Sequence, residues 1–362
     1  MWETEYITLL ATLVVGITFC FSGAVKLNDP VGFSYKIEEY LHVFASQWSK
    51  YLGFFLPYSL ALAVGIAALE VVLGTALLVH WHPYWTLRAL FLLTLFFTGL
   101  TLYTATSSRI ASCGCFGDAF ELTPWQSFAK SVVLLLLLGV IFGSAPSAPT
   151  TGTSHYWIVA TLIAALGLGT YTIRHLPLLP WESYHVGSRL TQLAKPRRPL
   201  RYLYVLEKDG QVIETTTYPQ EPGYKVLSSR LLNPEEVPEV TNFSVWQEQE
   251  ECTPTLLIGA KLLIIVQQGV TMPAPTLAQL RALVQHLPPA LSPILIIPDG
   301  QGPEVATALD LPLHTATPIL LRTMLRAPIG LLLLQEGVIK RKWHYRDLAR
   351  AQQQLARRKA LS

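Results

Sequence analysis

Two of the four cysteines in the chain lie close together, in the stretch SCGCFGDAF at residues 112–120. Cys113 and Cys115 are separated only by Gly114, so their sulfur atoms can meet only in a small ring that needs the backbone freedom of glycine. Such a bridge removes little chain entropy, whereas strained or exposed disulfides tend to be the labile and catalytic ones. We therefore interpret the pair as a reversible dithiol.

Two other interpretations of the pair stay open. The cysteines could simply pack in a turn against the helix ends, or their thiolates could bind a soft metal such as copper or zinc. A closed zinc site needs four ligands. The nearby histidines, His80 and His82, are expected at the opposite end of the helices, which argues against a complete metal site.

Two charged residues flank or follow the thiols. Arg109 precedes the loop and would favour the thiolate form if it came close. Asp118 is expected either to tune the reactivity of the thiols or to cap the segment that follows.

Glu70 lies near the middle of a long apolar run, in LEVVLG. An ionisable group at such a depth is costly in a membrane and is a functional hypothesis by default. We predict that Glu70 relays protons, with pairing to Lys26 or Arg88 as the alternative. Lys26, at the end of another apolar run, is expected either to take part in this site or to extend its ammonium group towards the lipid headgroups.

The composition indicates that much of the chain lies in lipid. About 51% of the 362 residues are apolar and 14% are charged, where a soluble protein of this size has about 25%. The formal net charge of +3 is too small to indicate a nucleic-acid partner. The N-terminal MWETEY lacks the basic segment and cleavage site of a removable signal peptide, so the first apolar run is predicted to be a retained membrane helix.

Five apolar runs are long enough to cross a bilayer, which needs about 20 residues. They cover roughly residues 6–27, 53–79, 85–106, 125–143 and 156–175. Residues 28–48 between the first two runs are too charged to span, and their helical spacing of apolar residues predicts an amphipathic helix in the membrane interface. Asp29 and Pro30 are expected to begin this helix.

From about residue 200 the sequence has the pattern of a soluble α/β domain. RYLYVLEKDGQVIETTT predicts a hairpin that turns at Asp209–Gly210. KLLIIVQQ and PILIIPD predict strands, each followed by a helix, and a last hairpin turning at Gly337 precedes a polar C-terminal helix. We predict three parts: residues 1–145 as a membrane domain, 146–180 as a linker with the fifth span, and 181–362 as the soluble domain.

These stretches resemble known bacterial families. FSGAVKLNDP and the charged segment after it are similar to the start of DoxX-family membrane proteins, and SCGCFGDAFELTPWQSFAK resembles the CGCFGD loop of MauE-type methylamine-utilisation proteins. The tail, with APIGLLLLQEGVIKRKW, is similar to the end of a thioredoxin-like domain. The resemblance implies a DoxX-like four-helix core with a fifth transmembrane helix, followed by a thioredoxin-like domain.

The tail departs from redox-active thioredoxin-like domains at one place. Such domains carry CxxC directly after the first core strand, where this chain has QQGVTMPAP. We therefore predict a degenerate domain that docks a partner or supports the membrane part. Cys252, in EECTPT, lies upstream of that strand and is interpreted as an ordinary half-buried thiol.

Together these observations predict a redox-associated membrane protein. Cys113 and Cys115 would exchange with thiols of an exported or periplasmic partner protein and pass electrons to a quinone in the lipid. By resemblance to MauE-type proteins the role is disulfide formation, and methylamine metabolism is an association inherited from that family. The alternatives are a non-catalytic membrane subunit whose tail recruits a partner, and a small transporter or metal-handling protein.

Two arguments about sidedness disagree. Lysine and arginine residues concentrate at the first and third connecting loops and after the fifth span, which by the positive-inside rule places the CGC loop in the cytoplasm. Disulfide chemistry belongs to the oxidising periplasmic side, and the resemblance points the same way. We predict a multi-pass protein of the bacterial inner membrane with its loop and tail in the periplasm. The charges concerned are Lys26, Lys36, Lys50, Arg109 and Lys130, with Lys195, Arg197, Arg198 and Arg201 after the last span.

Overall fold

The structure is a computed structural model in which two compact units are distinguished. The first comprises Met1–Glu182 with Trp343–Ala349, and the second comprises Ser183–Lys342 with Arg350–Ser362. The structure describes residues 2–107, 109–110, 113–120, 122–144, 153–193, 201–208, 211–217, 223–232, 243–248, 250–300 and 304–359. The predicted linker after the fourth span, the turn at Asp209–Gly210 and the basic residues 195–198 lie wholly or mostly outside these ranges.

The first unit is a bundle of helices. Five helical stretches among the described residues are long and apolar enough to cross a membrane, as the sequence predicted. A 3-10 helix, Lys50–Tyr58, leads directly into the second of them. The helices are α1 (Trp2–Asn28), α2 (Pro30–Gln47), α3 (Ser59–Leu78), α4 (Pro83–Ser107), α5 (Pro124–Gly143) and α6 (Ser154–Arg174).

The bundle buries one side of each span and exposes the other. Leu87, Leu90 and Leu138 are at most 2% exposed and form part of the apolar core of α1, α3, α4 and α5. Leu136 and Ile163, on the outside, are each 66% exposed. Since a water-facing surface of this kind would be unfavourable, these outer side chains contact lipid.

Helices α1 and α3 approach so closely that their backbones touch. A Cβ atom at Gly23 would lie 2.5 Å from the carbonyl oxygen of Ala67, and one at Gly74 would lie 2.8 Å from the backbone nitrogen of Cys20. Small residues at such crossings are typical of membrane helices. This contact fixes the register of α1 against α3.

Local capping explains where α2 and α5 begin. The side chain of Asp29 accepts a hydrogen bond of 2.8 Å from the Gly32 backbone, with Pro30 in the first turn, as predicted. Helix α5 begins with a capping box: Thr123 accepts from the backbone of Gln126, and the Gln126 side chain accepts from the backbone of Thr123. The residue that caps α5 is thus Thr123, and a capping role of Asp118 in the segment before it stays a prediction.

The second unit contains two sheets. The three-stranded sheet has the order β2-β1-β3, and the seven-stranded sheet has the order β10-β9-β6-β7-β8-β4-β5. The strands are β1 (Tyr202–Lys208), β2 (Gln211–Thr215), β3 (Lys225–Leu231), β4 (Val245–Gln247), β5 (Glu250–Glu251), β6 (Ala260–Val266), β7 (Leu291–Pro298), β8 (Leu313–Ala316), β9 (Ile329–Gln335) and β10 (Val338–His344).

The larger sheet is built around β6. It pairs in parallel with β7 and antiparallel with β9, with Ile264 opposite Leu295 on one side and Leu331 on the other. These three side chains are fully buried. Short helices connect the strands: α7 (Leu190–Leu193), α8 (Thr253–Leu256), α9 (Ala274–Gln285), α10 (Glu304–Leu309) and α11 (Pro318–Met324), with a 3-10 turn (Tyr345–Asp347) and α12 (Leu348–Lys359) at the end.

The predicted fold class is confirmed: a membrane bundle of helices with a fifth span, followed by a soluble α/β domain. In the second unit the predicted strands correspond to β1, β2, β6, β7, β9 and β10, and the predicted helices to α9, α10 and α12. The last hairpin turns at Glu336 and Gly337, which have φ angles of 48° and 69°. Strands β3, β4, β5 and β8 were not predicted, since they are short or polar.

Candidate functional site

The CGC loop, residues 113–120, forms a series of tight turns between α4 and α5. The sulfur atoms of Cys113 and Cys115 are paired, and their Cα atoms lie 5.5 Å apart. Gly114 has a φ angle of 64°, which only glycine adopts without strain. The backbone N–H of Cys115 donates to the sulfur of Cys113 at 3.3 Å. The structure thus brings the two predicted thiols together.

Two elements hold this loop against the bundle. The Ser22 hydroxyl on α1 donates a hydrogen bond of 2.9 Å to the carbonyl oxygen of Cys115. Phe21 and Phe116 pack with ring centroids 5.8 Å apart. On the α2 side the aliphatic chain of Lys36 lies against Gly114, where an added Cβ would meet it at 3.1 Å.

Lys26 and Glu70 form a buried ion pair between α1 and α3. The ammonium nitrogen lies 2.5 Å from Glu70 Oε1, and the two side chains are only 3% and 1% exposed. The predicted extension of Lys26 to the headgroups is therefore wrong, and its pairing with Glu70 is confirmed. The register of α1 and α3 explains the difference, because it places the lysine stem beside the carboxylate.

The environment of this pair is apolar and aromatic. The Lys26 ammonium lies 5.2 Å and 5.3 Å from the ring centroids of Phe33 and Phe97, within the range of cation–π attraction. Arg88, the other partner considered for Glu70, lies instead over the ring of Tyr84. Among the described residues Glu70 Oε2 has no hydrogen-bond partner. A buried carboxylate oxygen without a partner is rare in folded proteins.

A chain of hydrogen bonds connects the ion pair to the backbone of the CGC loop. Lys26 donates to the Ser22 hydroxyl at 3.0 Å, and Ser22 donates in turn to the Cys115 carbonyl. The charge state at Glu70 can therefore affect the position of the CGC loop through two side chains. Such networks are strengthened by the low dielectric of the interior.

A cavity of about 900 Å³ joins these groups. Cys113 and Cys115 line it together with Lys26 and Glu70, and so does Lys130 of α5. The remaining wall is mostly apolar and aromatic and comes from α1 to α5. A mostly apolar cavity with a few convergent polar groups is the usual form of a small-molecule site.

The sequence analysis missed Lys130 as a site residue. Its ammonium lies 4.2 Å from the ring centroid of Phe116 in the CGC loop, and it interacts electrostatically with Lys26 and Glu70. The signal was available, because Lys130 lies within an apolar span just as Glu70 does. It was counted only among the charges that flank loops.

Helix α2 contributes a further polar group that was not predicted. Tyr40 lines the cavity and shares a hydrogen bond of 2.7 Å with Thr104 of α4. Burial raises the pKa of the Tyr40 phenol above its ordinary value. The phenol therefore stays protonated at neutral pH. Helix α2 thus packs on the bundle and closes one side of the cavity.

Arg109 and Asp118 occupy exposed positions at the loop. With the Gln47 amide turned to match its neighbours, its oxygen accepts hydrogen bonds from Arg109. The cation whose side chain lies against the CGC turn is Lys36. Any effect of Arg109 or Asp118 on the thiols stays a prediction.

The two remaining cysteines lie apart from the pair. Cys20 lies between α1 and α3 beside Thr75, and Cys252 caps α8 in the soluble unit. Both are half-buried free thiols. Within the described ranges no group of three or more histidine, cysteine, aspartate or glutamate side chains could hold a metal ion.

Comparison with known proteins finds one family to which the bundle is similar. Residues 4–144 match the model of the family described as Methylamine utilisation protein MauE. The match covers α1 to α5 with the CGC loop, so this part of the chain is similar to a membrane family. No curated protein and no solved structure matches the chain.

The MauE-type resemblance is thus confirmed for the bundle, and the protein is a multi-pass membrane protein in contact with lipid. The DoxX-like and thioredoxin-like resemblances stay predictions.

Proposed function

We propose that the protein is a membrane thiol oxidant for exported partner proteins, with Cys113 and Cys115 as the reacting pair. A partner dithiol attacks the disulfide and forms a mixed disulfide, and its second thiol then releases the partner in the oxidised state. The partner loses two electrons and two protons, and the membrane pair takes them up as two thiols. A quinone in the lipid is the acceptor that restores the disulfide.

One observation carries this proposal: the paired sulfur atoms line the same cavity as a buried ion pair inside the bundle. A pair that only staples a turn has no need of access to an apolar cavity. A thiol pair in a connecting loop that also lines the cavity of the bundle can exchange electrons with a soluble partner on one side and with a lipid-soluble acceptor in the cavity on the other.

The charge around the cavity argues against methylamine as a substrate of this site. Methylamine is a cation at neutral pH. Lys26, Lys36 and Lys130 line the cavity, against one carboxylate that lines it, Glu70. These lysines would repel a further cation in a low-dielectric site. The proposed substrate is therefore a protein thiol and not the amine named in the family description.

The direct test is trapping of thiols in intact cells with a mass tag. A variant that keeps only the loop pair, Cys20→Ser/Cys252→Ser, is compared with one that keeps only the other two cysteines. We expect the loop pair to be tagged in a redox-dependent manner, and Cys115→Ser to accumulate a mixed disulfide through Cys113. Thiols that stay reduced under every condition would end the proposal.

We further propose that the CGC loop and the tail face the periplasm of the bacterial inner membrane. Both α4 and α6 end on the side where the loop lies if the five spans alternate. This is tested in a variant in which all four cysteines are replaced by serine, the Cys-free protein. A single cysteine is introduced into it at the exposed Ile258. Labelling by an impermeant reagent in intact spheroplasts is expected, and labelling only after lysis would place the tail in the cytoplasm.

A second candidate function is favoured by the soluble unit itself. The segment between β6 and α9, where a redox-active thioredoxin-like domain would carry CxxC, contains Gln267 and Gly269 but no cysteine. The tail would then recruit a partner without reacting with it. Retention of partner binding by Cys113→Ser/Cys115→Ser, measured by pull-down, with loss of partner oxidation would separate recruitment from chemistry.

A further inference from the structure

We propose that the cavity binds the headgroup of a quinone and that Lys130 is the residue that contacts its carbonyl oxygen. This inference rests on the proposed function, since it identifies where the acceptor of electrons from Cys113 and Cys115 is held. It adds two residues that contact the ring, Lys130 and Glu70, and gives Lys26 and Ser22 positioning roles.

The position of the polar groups supports a small headgroup at one end of the cavity. Lys130 lies over Phe116, which follows Cys115 directly in the chain. Lys130 lines the same cavity as the thiol pair and interacts electrostatically with Lys26 and Glu70. A ring bound beside Lys130 would have a hydrogen-bond donor at one carbonyl oxygen and the dithiol close by.

The charges suit a molecule that is neutral when it enters and gains negative charge during the reaction. The Lys26 ammonium is already neutralised by Glu70, whereas no described carboxylate is within ion-pair distance of Lys130. A quinone accepts electrons before its oxygens are fully protonated. A preformed positive charge in this mostly apolar cavity stabilises the developing charge without reorganisation.

The free oxygen of Glu70 gives the cavity a second polar contact. Glu70 Oε2 is buried without a partner, so it can accept a hydrogen bond from a hydroxyl group of the reduced ring. The oxidised ring has no such hydroxyl. Glu70 therefore distinguishes the product from the substrate, and its ion pair holds the carboxylate in place.

The remaining wall suits an isoprenoid or alkyl tail. Phe44, Trp48 and Leu52 line it on the side of α2 and the 3-10 helix, and Leu62 and Ile66 line it on α3. These side chains offer apolar and aromatic surface without charge. A headgroup at Lys130 can thus extend its tail along the bundle.

The step balances without a further reactant. As the S–S bond forms, the two thiols of Cys113 and Cys115 lose two electrons and two protons, and the quinone takes up both to become the hydroquinone. Lys130 donates one proton at the carbonyl oxygen and regains one from a thiol.

Binding is tested separately from chemistry. In the Cys113→Ser/Cys115→Ser protein no electron transfer takes place, and titration with decylubiquinone is followed by quenching of tryptophan fluorescence, since Trp48 lines the cavity. We expect Lys130→Met to weaken binding at least tenfold and Lys130→Arg less than threefold. Lys50→Met is the matched control, because Lys50 is exposed and does not line the cavity.

Equal affinity of Lys130→Met and Lys50→Met, or equal binding of an alkylbenzene that has the tail but no carbonyl groups, overturns the inference. Should Lys130→Met not fold, photo-crosslinking of the Cys-free protein with an azidoquinone gives the answer. Crosslinks of the ring to the cavity segments Phe33–Ile37 and Lys130–Leu134 support the site, and crosslinks confined to the outer faces around Leu136 and Ile163 reject it. If quinone binds but the thiols of Cys113 and Cys115 never change oxidation state, the proposed function is rejected and the quinone site stands.

Discussion

The interior of the membrane bundle and the interior of the soluble unit are built in opposite ways. In the bundle, charged and hydroxyl groups such as Lys26, Glu70 and Ser22 are buried next to a cavity and a thiol pair. Around β6 the soluble unit buries Leu263, Ile264 and their neighbours, which are fully apolar. A buried charge is costly unless it is paired and hydrogen-bonded.

This difference supports the proposal that the chemistry lies in the bundle. The buried groups Lys26, Glu70 and Ser22 line the same cavity as Cys113 and Cys115. The soluble unit also buries single polar side chains such as Gln267 and His314, but residues 262–266 of β6 are all apolar and buried. Each substitution predicted below changes one of the two regions, and its effect on stability or on the redox state of the loop pair tests the comparison.

The largest effect is expected from breaking the buried ion pair. Lys26→Met leaves Glu70 charged and unpaired in the interior, which should lower the free energy of unfolding by about 3–5 kcal/mol. The double variant Lys26→Met/Glu70→Leu should lose much less. Chemical unfolding in detergent micelles measures both.

The half-exposed pair Lys36–Glu39, at 3.1 Å, is the control for the ion-pair experiment. Lys36→Met should cost about 0–1 kcal/mol, as for other exposed pairs. An equal loss in Lys26→Met and the double variant would mean that the pair is not the source of the effect.

A cavity created in the core of the soluble unit should destabilise that unit and leave the thiol pair of the bundle unaffected. Leu331 is fully buried in β9, and Leu331→Ala should destabilise the unit by about 2–5 kcal/mol. The redox state of the loop pair should stay unchanged, as scored by mass tagging. Ile258→Ala, at a side chain that is 67% exposed, is the control. A shift in the redox state of the pair would show that the chemistry depends on the soluble core.

A pH effect is expected outside the spans, at His344. Burial lowers the pKa of His344 from 6.5 to about 4, although the charge of Asp347 opposes this. Between these values the unfolded chain binds more protons than the folded one. Stability is therefore complete above about pH 6.5 and is lost as the pH falls towards about 4.

His344→Gln should flatten this part of the stability curve, measured by thermal unfolding at a series of pH values. His314, whose pKa burial also lowers, contributes in the same direction and keeps a residual slope. The exposed His286 provides the control variant, His286→Gln. An unchanged slope in His344→Gln would contradict the assignment.

The smallest effect is expected at the start of α5. Thr123→Ala removes the side-chain half of the capping box and should cost about 1 kcal/mol. Thr106→Ala is a suitable comparison, since this exposed threonine bonds only to carbonyl oxygens of its own helix. Thermal unfolding in detergent tells the two apart, and equal losses would argue against the cap.

The sequence was sufficient to predict the spans and the pairing of Cys113 with Cys115. Each of these depends on local composition or on neighbours in the chain. The partner of Glu70 could not be chosen between Lys26 and Arg88, because the choice depends on the register of α1 against α3. Lys130 was missed although its place within an apolar span was a signal, and only its contact with Phe116 depends on how α5 packs beside the loop.

In the soluble unit, the length of a strand decided whether it could be predicted from the sequence. β6 and β9 each have seven residues that are almost all apolar, so their pattern is clear. β5 has two residues and β8 has four, and β8 follows directly after Pro312. Their place in the sheet comes from pairing with distant strands, which no local pattern encodes.

The contact of α1 with α3 at Gly23 and Gly74 has a consequence for how this protein can vary. The two backbones leave no room for a methyl group at either position. In a saturation scan scored by growth, we expect these two sites to reject every replacement, while the lipid-facing positions one turn away accept most apolar residues. The two glycines thus set the distance between α1 and α3, and with it the spacing between Lys26 and Glu70, although neither glycine has a reactive group.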